Sequence, residues 1–365
     1  MSAFVPGLQL AREFYAGEVR PLLARHFPRL QYAAALLGPG SEVAGFDTVR
    51  STDHDWGPRL QVLLGAEDAE DAEDAARHAT AVSDMLASRL PASFRGYPVA
   101  FPVTGEPGGT PRHRVQVTGL GPWLTGLLGF DPRPAVTLLD WLATPSQRLA
   151  EVTAGAVFHD GPGELTRARA VLAWYPRDVW LYLLACQWQR IGQEEALPGR
   201  CAEAGDDLGS AIVTARLARD LMRLCLLMHR RYPPYGKWLG TAFARLPQAA
   251  GLCAALAAAV SATDWPARER QLCRAYQAVA ERHNQLGLTP PLEGGTRGFY
   301  DRPYQVIDAA RFTSALREAI TDPRLGRLPP IGAIDQFTDS TDAAGDLGFL
   351  RAITAAALQR SGRGP

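Results

Sequence analysis

The sequence predicts an α/β (α+β) domain with a mixed sheet over residues 1–145, followed by a mainly α-helical domain over residues 146–365. Three observations predict it. Short apolar runs bounded by Gly and Pro recur in the first part, as half-buried or buried strands do. Beyond about residue 143, apolar residues recur at helical spacing through much longer stretches. At 365 residues the chain is also long enough for two hydrophobic cores.

Element by element, LQLAREFYAGEVRPLLARHF (8–27) has the spacing of an opening helix, and QYAAALLG (31–38) reads as a buried strand ended by Gly and Pro. Two strand-like pieces follow, Ser51 to Asp55 and Arg59 to Leu64. The acidic repeat AEDAEDAED (66–74) opens a helix running to about Leu90, its carboxylates suited to the positive end of the helix dipole. GYPVAF (96–101) and HRVQVTG (113–119) are further strands, separated by the turn-rich TGEPGGTPR. Helical patterns then occupy 144–155, 166–197 and 206–232, with alanine-rich helix to about 287. GTRGFYDRPYQVID (295–308) is less regular, and RFTSALREAI and GFLRAITAAALQR are late helices.

Composition narrows the function classes. Basic and acidic side chains number 38 each and no basic block occurs, which gives no nucleic-acid signature. Five cysteines are scattered singly, without metal-ligand spacing, as in a reducing cytoplasm. The first twenty residues lack a basic start followed by an apolar core, and the apolar stretch 249–262 is too short to span a bilayer. A cytoplasmic chain without membrane association is the expectation. Of the 38 basic residues, 37 are arginine and one, Lys237, is lysine.

The stretch LLGPGSEVAGFDTVRSTDHDWGPRLQVLLG (36–65) carries the chemistry. On a strand, Asp53 and Asp55 point to one face and His54 to the other. Two adjacent carboxylates repel, and a divalent cation relieves the repulsion; magnesium takes a few carboxylate oxygens and completes its shell with water and phosphate. Gly40 and Ser41, at the end of the preceding strand, supply close backbone approach and a hydroxyl for an anion. Phosphate on the turn and metal on the aspartates together describe a nucleoside triphosphate (NTP) site, with Mg2+ or Mn2+ as cofactor.

These residues resemble the nucleotidyltransferase superfamily related to DNA polymerase β and to the aminoglycoside nucleotidyltransferases. The likeness rests on strand, Gly40-Ser41, eleven residues, then Asp53-His54-Asp55, with a helical domain following. The run from Gly45 to Arg59, together with WYPRDVWLYLLACQWQRIGQEE and YPPYGKWLGTAF, is similar to a bacterial group within that superfamily and brings no substrate with it. The resemblance implies a magnesium-dependent transfer of a nucleoside monophosphate from an NTP to a hydroxyl of a small-molecule acceptor, with Asp53 and Asp55 as metal ligands and catalytic carboxylates. It also implies a third carboxylate on a neighbouring strand, where HRVQVTG has Gln116. Asp140, in TLLDWLA, is the candidate replacement, with a helix cap as its alternative, and Asp160 is the next acid. If no acid replaces Gln116, the alternative is a nucleotide-binding protein without turnover; a nucleotidyl modifier of a protein is a third reading.

Other candidates carry alternatives of their own. Lys237 reaches the triphosphate from the helical domain or is a surface lysine, and Arg59 contacts phosphate or forms a surface ion pair. One of Gln193, Glu194 and Glu195 lines the site, or all are exposed helix residues; Asp178 is read as an N-cap and His54 as structural.

Overall fold

The computed structural model describes residues 4–53, 56–65, 72–101 and 111–360. The chain folds as two compact units. The first takes in residues 1–136 and 148–173, the second 137–147 and 174–365. The chain therefore enters the second unit, returns to the first for 148–173, and leaves again, which no single cut near residue 145 describes.

The first unit is built on a four-stranded mixed sheet: β1 (Tyr32–Leu36), β2 (Leu60–Leu64), β3 (Val115–Gly119) and β4 (Ala156–Asp160), in the order β3-β2-β1-β4. β1 pairs antiparallel with β2, Tyr32 opposite Leu64, and β2 runs parallel to β3, Leu60 opposite Val115. Every residue of β1 and β2 is buried, as central strands covered on both faces require. The core joins Phe14, Val19 and Leu23 of the opening helix to Val62 and Val115 of the sheet and to Val82 and Leu86 of helix Ala72–Arg89.

Several elements differ from the sequence expectation for local physical reasons. The opening helix is Gly7–Phe14, a π-helical stretch Tyr15–Val19, then Arg20–His26. Pro21 has no N–H to give the Gly17 carbonyl, so the ladder widens just before it. The expected strand over Ser51 to Asp55 is instead a 3-10 helix, Val49–Asp53. Thr48 N–H donates to Ser51 Oγ at 3.0 Å, and Thr52 Oγ1 donates to the Val49 carbonyl at 2.8 Å. These local bonds compete with a sheet ladder and win. Residues 96–101 form only two-residue hairpin pieces, Tyr97–Pro98 with Ser93–Phe94 and Ala100–Phe101 with Arg112–His113.

β4 has no counterpart in the sequence reading. It pairs antiparallel with β1, with a bulge between Ala34 and Ala35. Helix Ser146–Thr153 precedes it, and Arg169 closes that helix end. Its Nε donates to the Val152 carbonyl at 3.0 Å, and its Nη2 to those of Thr153 and Ala154 at 2.7 and 2.9 Å. The long helix expected over 166–197 is three: Glu164–Val171, Arg177–Glu194 and Leu197–Glu203, with Pro176 and Pro198 at the starts of the latter two.

The second unit is helical. Helix Arg177–Glu194 packs on Asp207–Met228 and Ala310–Glu318, and Ala249–Ser261 packs on Trp265–Gln285. At its centre the fully buried Trp188 stacks on Phe312 at 4.2 Å and donates its indole N–H to Nδ1 of His283. No helix among the described residues is long and apolar enough to cross a membrane.

Candidate functional site

The Gly40-Ser41 turn is held in the first unit by Arg59 and by two side chains the sequence did not single out, Gln61 and Glu42. Beyond β1, Leu37 leaves the strand ladder. Its backbone N–H and C=O instead pair with the side-chain amide of Gln61 on β2, at 3.0 and 3.2 Å. A buried glutamine thus stands in for a strand's backbone and satisfies two groups that burial would otherwise orphan. The Gly38 N–H donates to the Glu151 carbonyl at 2.8 Å. Ser41 to Gly45 then make one turn, with the N–H groups of Ala44 and Phe46 closed onto the carbonyls of Gly40 and Ser41.

Arg59, one residue before β2, braces this turn. Its Nε donates to Glu42 Oε1 at 2.7 Å, Nη2 lies 2.6 Å from the same oxygen as an ion pair, and Nη2 donates to the Pro39 carbonyl at 2.8 Å. The Glu42 side chain is 3% exposed, so this is a nearly buried ion pair rather than a surface one. Gly40, at φ +150°, is exposed beneath the guanidinium: a Cβ there would collide with Arg59 Nη2 and lie 2.7 Å from Glu42 Oε2. The Ser41 hydroxyl and Arg59 Nη1 have no hydrogen-bond partner among the described residues.

Both ends of the segment that carries the aspartates are tied down. One Asp47 oxygen accepts from the Gly7 N–H at 2.7 Å and from the Trp56 indole at 3.2 Å. Trp56 is itself buried, edge-on to Tyr97 at 5.0 Å. Asp53 ends the 3-10 helix Val49–Asp53, so strand alternation does not set its direction. The Asp53 side chain, His54 and Asp55 lie outside the described residues. Among the described residues no group of three His, Cys, Asp or Glu is placed to hold a metal ion.

The remaining candidates fall as follows. Gln116 is exposed on β3, opposite Gln61 in register, and β1 to β3 contain no acid. Asp160, closing β4, accepts from the N–H and hydroxyl of Thr166 at 2.8 and 2.7 Å. Asp140 belongs to the second unit. It is the N3 member of a capping box with Thr137, and its other oxygen accepts from Arg351 at 2.6 Å, so both oxygens are engaged. Lys237 is exposed in the second unit, in the first turn of helix Gly236–Ala244, with Nζ 4.9 Å from the Trp238 ring centroid.

Residues 141–239 match a domain of unknown function, DUF4037. No curated protein and no solved structure matches the chain. The DUF4037 stretch spans parts of both units and contains WYPRDVWLYLLACQWQRIGQEE. Within it, Trp174, Tyr175 and Tyr232 pack ring against ring in the second unit. Tyr175 is buried, and burial followed by the nearby Asp335 carboxylate lifts its phenol well above the usual range. Asp178, expected as an N-cap, instead accepts from the Thr321 and Asp322 N–H groups at 2.8 and 2.6 Å. Glu194 pairs with Arg216, and Glu195 accepts from the N–H groups of Asp308 and Ala309.

Proposed function

We propose that the chain is a magnesium-dependent nucleotidyltransferase, moving a nucleoside monophosphate from an NTP to a hydroxyl of a small-molecule acceptor. The observation that carries this reading is the braced Gly40-Ser41 turn. An exposed glycine beyond a buried strand, a serine hydroxyl without a hydrogen-bond partner among the described residues and a fixed guanidinium suit the approach of a phosphate. Arg59 has two roles in it: Nε and Nη2 hold the turn, and Nη1 remains for a phosphate oxygen. The Asp47–Trp56 tie joins the two ends of the segment whose sequence contains Asp53 and Asp55. Magnesium, held by Asp53 and Asp55 in this reading, supplies charge neutralisation for the triphosphate.

The exposed Gln116 and the absence of an acid from β1 to β3 favour a second reading, NTP binding without turnover. One pair of measurements separates them. An NTP at about 100 times its dissociation constant adds roughly 2.7 kcal/mol of stability. Both readings expect a magnesium-dependent rise in melting temperature for one NTP, lost in Asp53→Asn and reduced in Ser41→Ala. Pyrophosphate release with a hydroxylic acceptor marks the transferase, and its absence marks the binding protein. No thermal shift with any of the four NTPs would reject both.

A further inference from the structure

A second polar site lies wholly within the helical unit. Helix Asp207–Met228 presents Arg216, Arg219 and Asp220 on one face, at the i, i+3, i+4 spacing that brings side chains together. With Arg190 of helix Arg177–Glu194 and Asp339 they line a cavity of about 180 Å³.

Asp220 is the unusual member. It is 1% exposed, yet among the described residues its carboxylate is hydrogen-bonded by Arg190 alone, at 3.4 Å through Oδ2, and Oδ1 has no hydrogen-bond partner. Buried carboxylates are ordinarily paired and hydrogen-bonded on both oxygens, because an uncompensated buried charge is costly. Asp220, a lining residue of the cavity, therefore holds an acceptor in want of a donor. Around it stand three guanidinium groups. Arg216 is fixed by a two-pronged bond to Glu194. Arg219 pairs with Asp339 at 3.1 Å, but Asp339 is 78% exposed. A pair of that kind is worth about 0–1 kcal/mol, so an entering anion displaces it at little cost.

We infer that this cavity binds a small oxyanion that also carries a hydroxyl group, a hydroxylated phosphate ester or a hydroxy-carboxylate. The anionic end sits on Arg219 and Arg216, and the hydroxyl donates to Asp220 Oδ1. A neutral donor suits this lining, whose three guanidinium groups are already matched by the carboxylates of Glu194, Asp220 and Asp339. The volume falls below the roughly 300–1,000 Å³ of drug-sized sites, which limits the ligand to a small metabolite.

Calorimetric titration of the full chain, with no nucleotide and no magnesium present, tests this independently of the Gly40-Ser41 reading. The probes are two matched pairs: glycerol phosphate with propyl phosphate, and glycerate with propionate. In the pair whose head group fits, the hydroxylated member binds about tenfold more tightly, the worth of one hydrogen bond to a charged acceptor. Asp220→Leu, close in shape but without oxygens, erases that preference. Arg219→Ala, at an exposed pair, weakens both members about tenfold and carries the test if Asp220→Leu does not fold. No binding by any probe up to about 10 mM would overturn the inference. So would equal affinity within both pairs, or affinity unmoved by Arg219→Ala; water on Asp220 then completes the site.

Discussion

At Gly40, Arg59 and Glu42 one small group of atoms serves the shape of a turn and the chemistry proposed for it. Glu42→Ala leaves the Arg59 guanidinium without its main partner, and Arg59→Ala leaves a carboxylate buried and unpaired. The second change is expected to be the worse, at about 3–5 kcal/mol by chemical denaturation. A loss below about 1 kcal/mol would reduce the pair to a surface contact. Gly155 sets a stricter limit. It sits at φ +66°, where an added Cβ would collide with the carbonyl oxygen of Leu36, the last residue of β1. Gly155→Ala should cost more stability than Gly40→Ala, because the obstacle at Gly40 is chiefly the end of a side chain and the obstacle at Gly155 is backbone. The turn at Gly40-Ser41 was legible in the sequence because its residue types announce one, and an ion pair was one of the two roles expected of Arg59. Glu42 and Gln61 were not legible: an acid in a loop and a glutamine in an apolar run look ordinary until long-range pairing gives each a partner.

Elements show where sequence periodicity misleads. Ser51 and Thr52 look like strand residues, but their hydroxyls bond to the local backbone and wind the chain into a 3-10 turn. β4 was hidden because Ala156–Asp160 is five residues long between two helices, too short to assert a period. Helix Ala310–Glu318 carries a pH-dependent device that no pattern foretold. The N–H groups of Asp308 and Ala309, which lead into it, are met by Glu195, a residue more than a hundred positions away. Burial lifts this carboxyl from its ordinary range to about 7, against the pull of the backbone N–H groups of 307–309. A pKa raised on folding gives stability that is complete below about 4.5 and lost as pH rises through about 7. His283, lowered to about 4 by burial, acts in the opposite sense: its stability is present above about 6.5 and lost as pH falls through about 4. The wild-type slope therefore mixes the two. Denaturation of wild type and Glu195→Gln at several pH values should differ by on the order of 1–3 kcal/mol between pH 5 and 8. Parallel curves would remove Glu195 from the account.

The whole molecule does not divide where its composition changes. A shift from short apolar runs to long helical ones was visible near residue 143, and a mixed α/β part followed by a helical part is what the chain forms. The return of 148–173 to the first unit was not visible, because it depends on β4 finding β1. A fragment ending at residue 145 lacks β4 and the Arg169 closure, and it leaves β1 as an open sheet edge. It should aggregate or lack cooperative unfolding, whereas a fragment ending at residue 173 should melt cooperatively. Cooperative melting of the shorter fragment would place the border back at 145.

The exposed Lys237 has a practical consequence of another kind. It is the sole side-chain amine on a surface otherwise served by arginine, and it lies against an indole ring. An amine-selective acylating reagent thus has a single internal target. Loss of the charge beside Trp238 would alter that ring's emission, so conjugation would report its own progress and leave one dye at a known address.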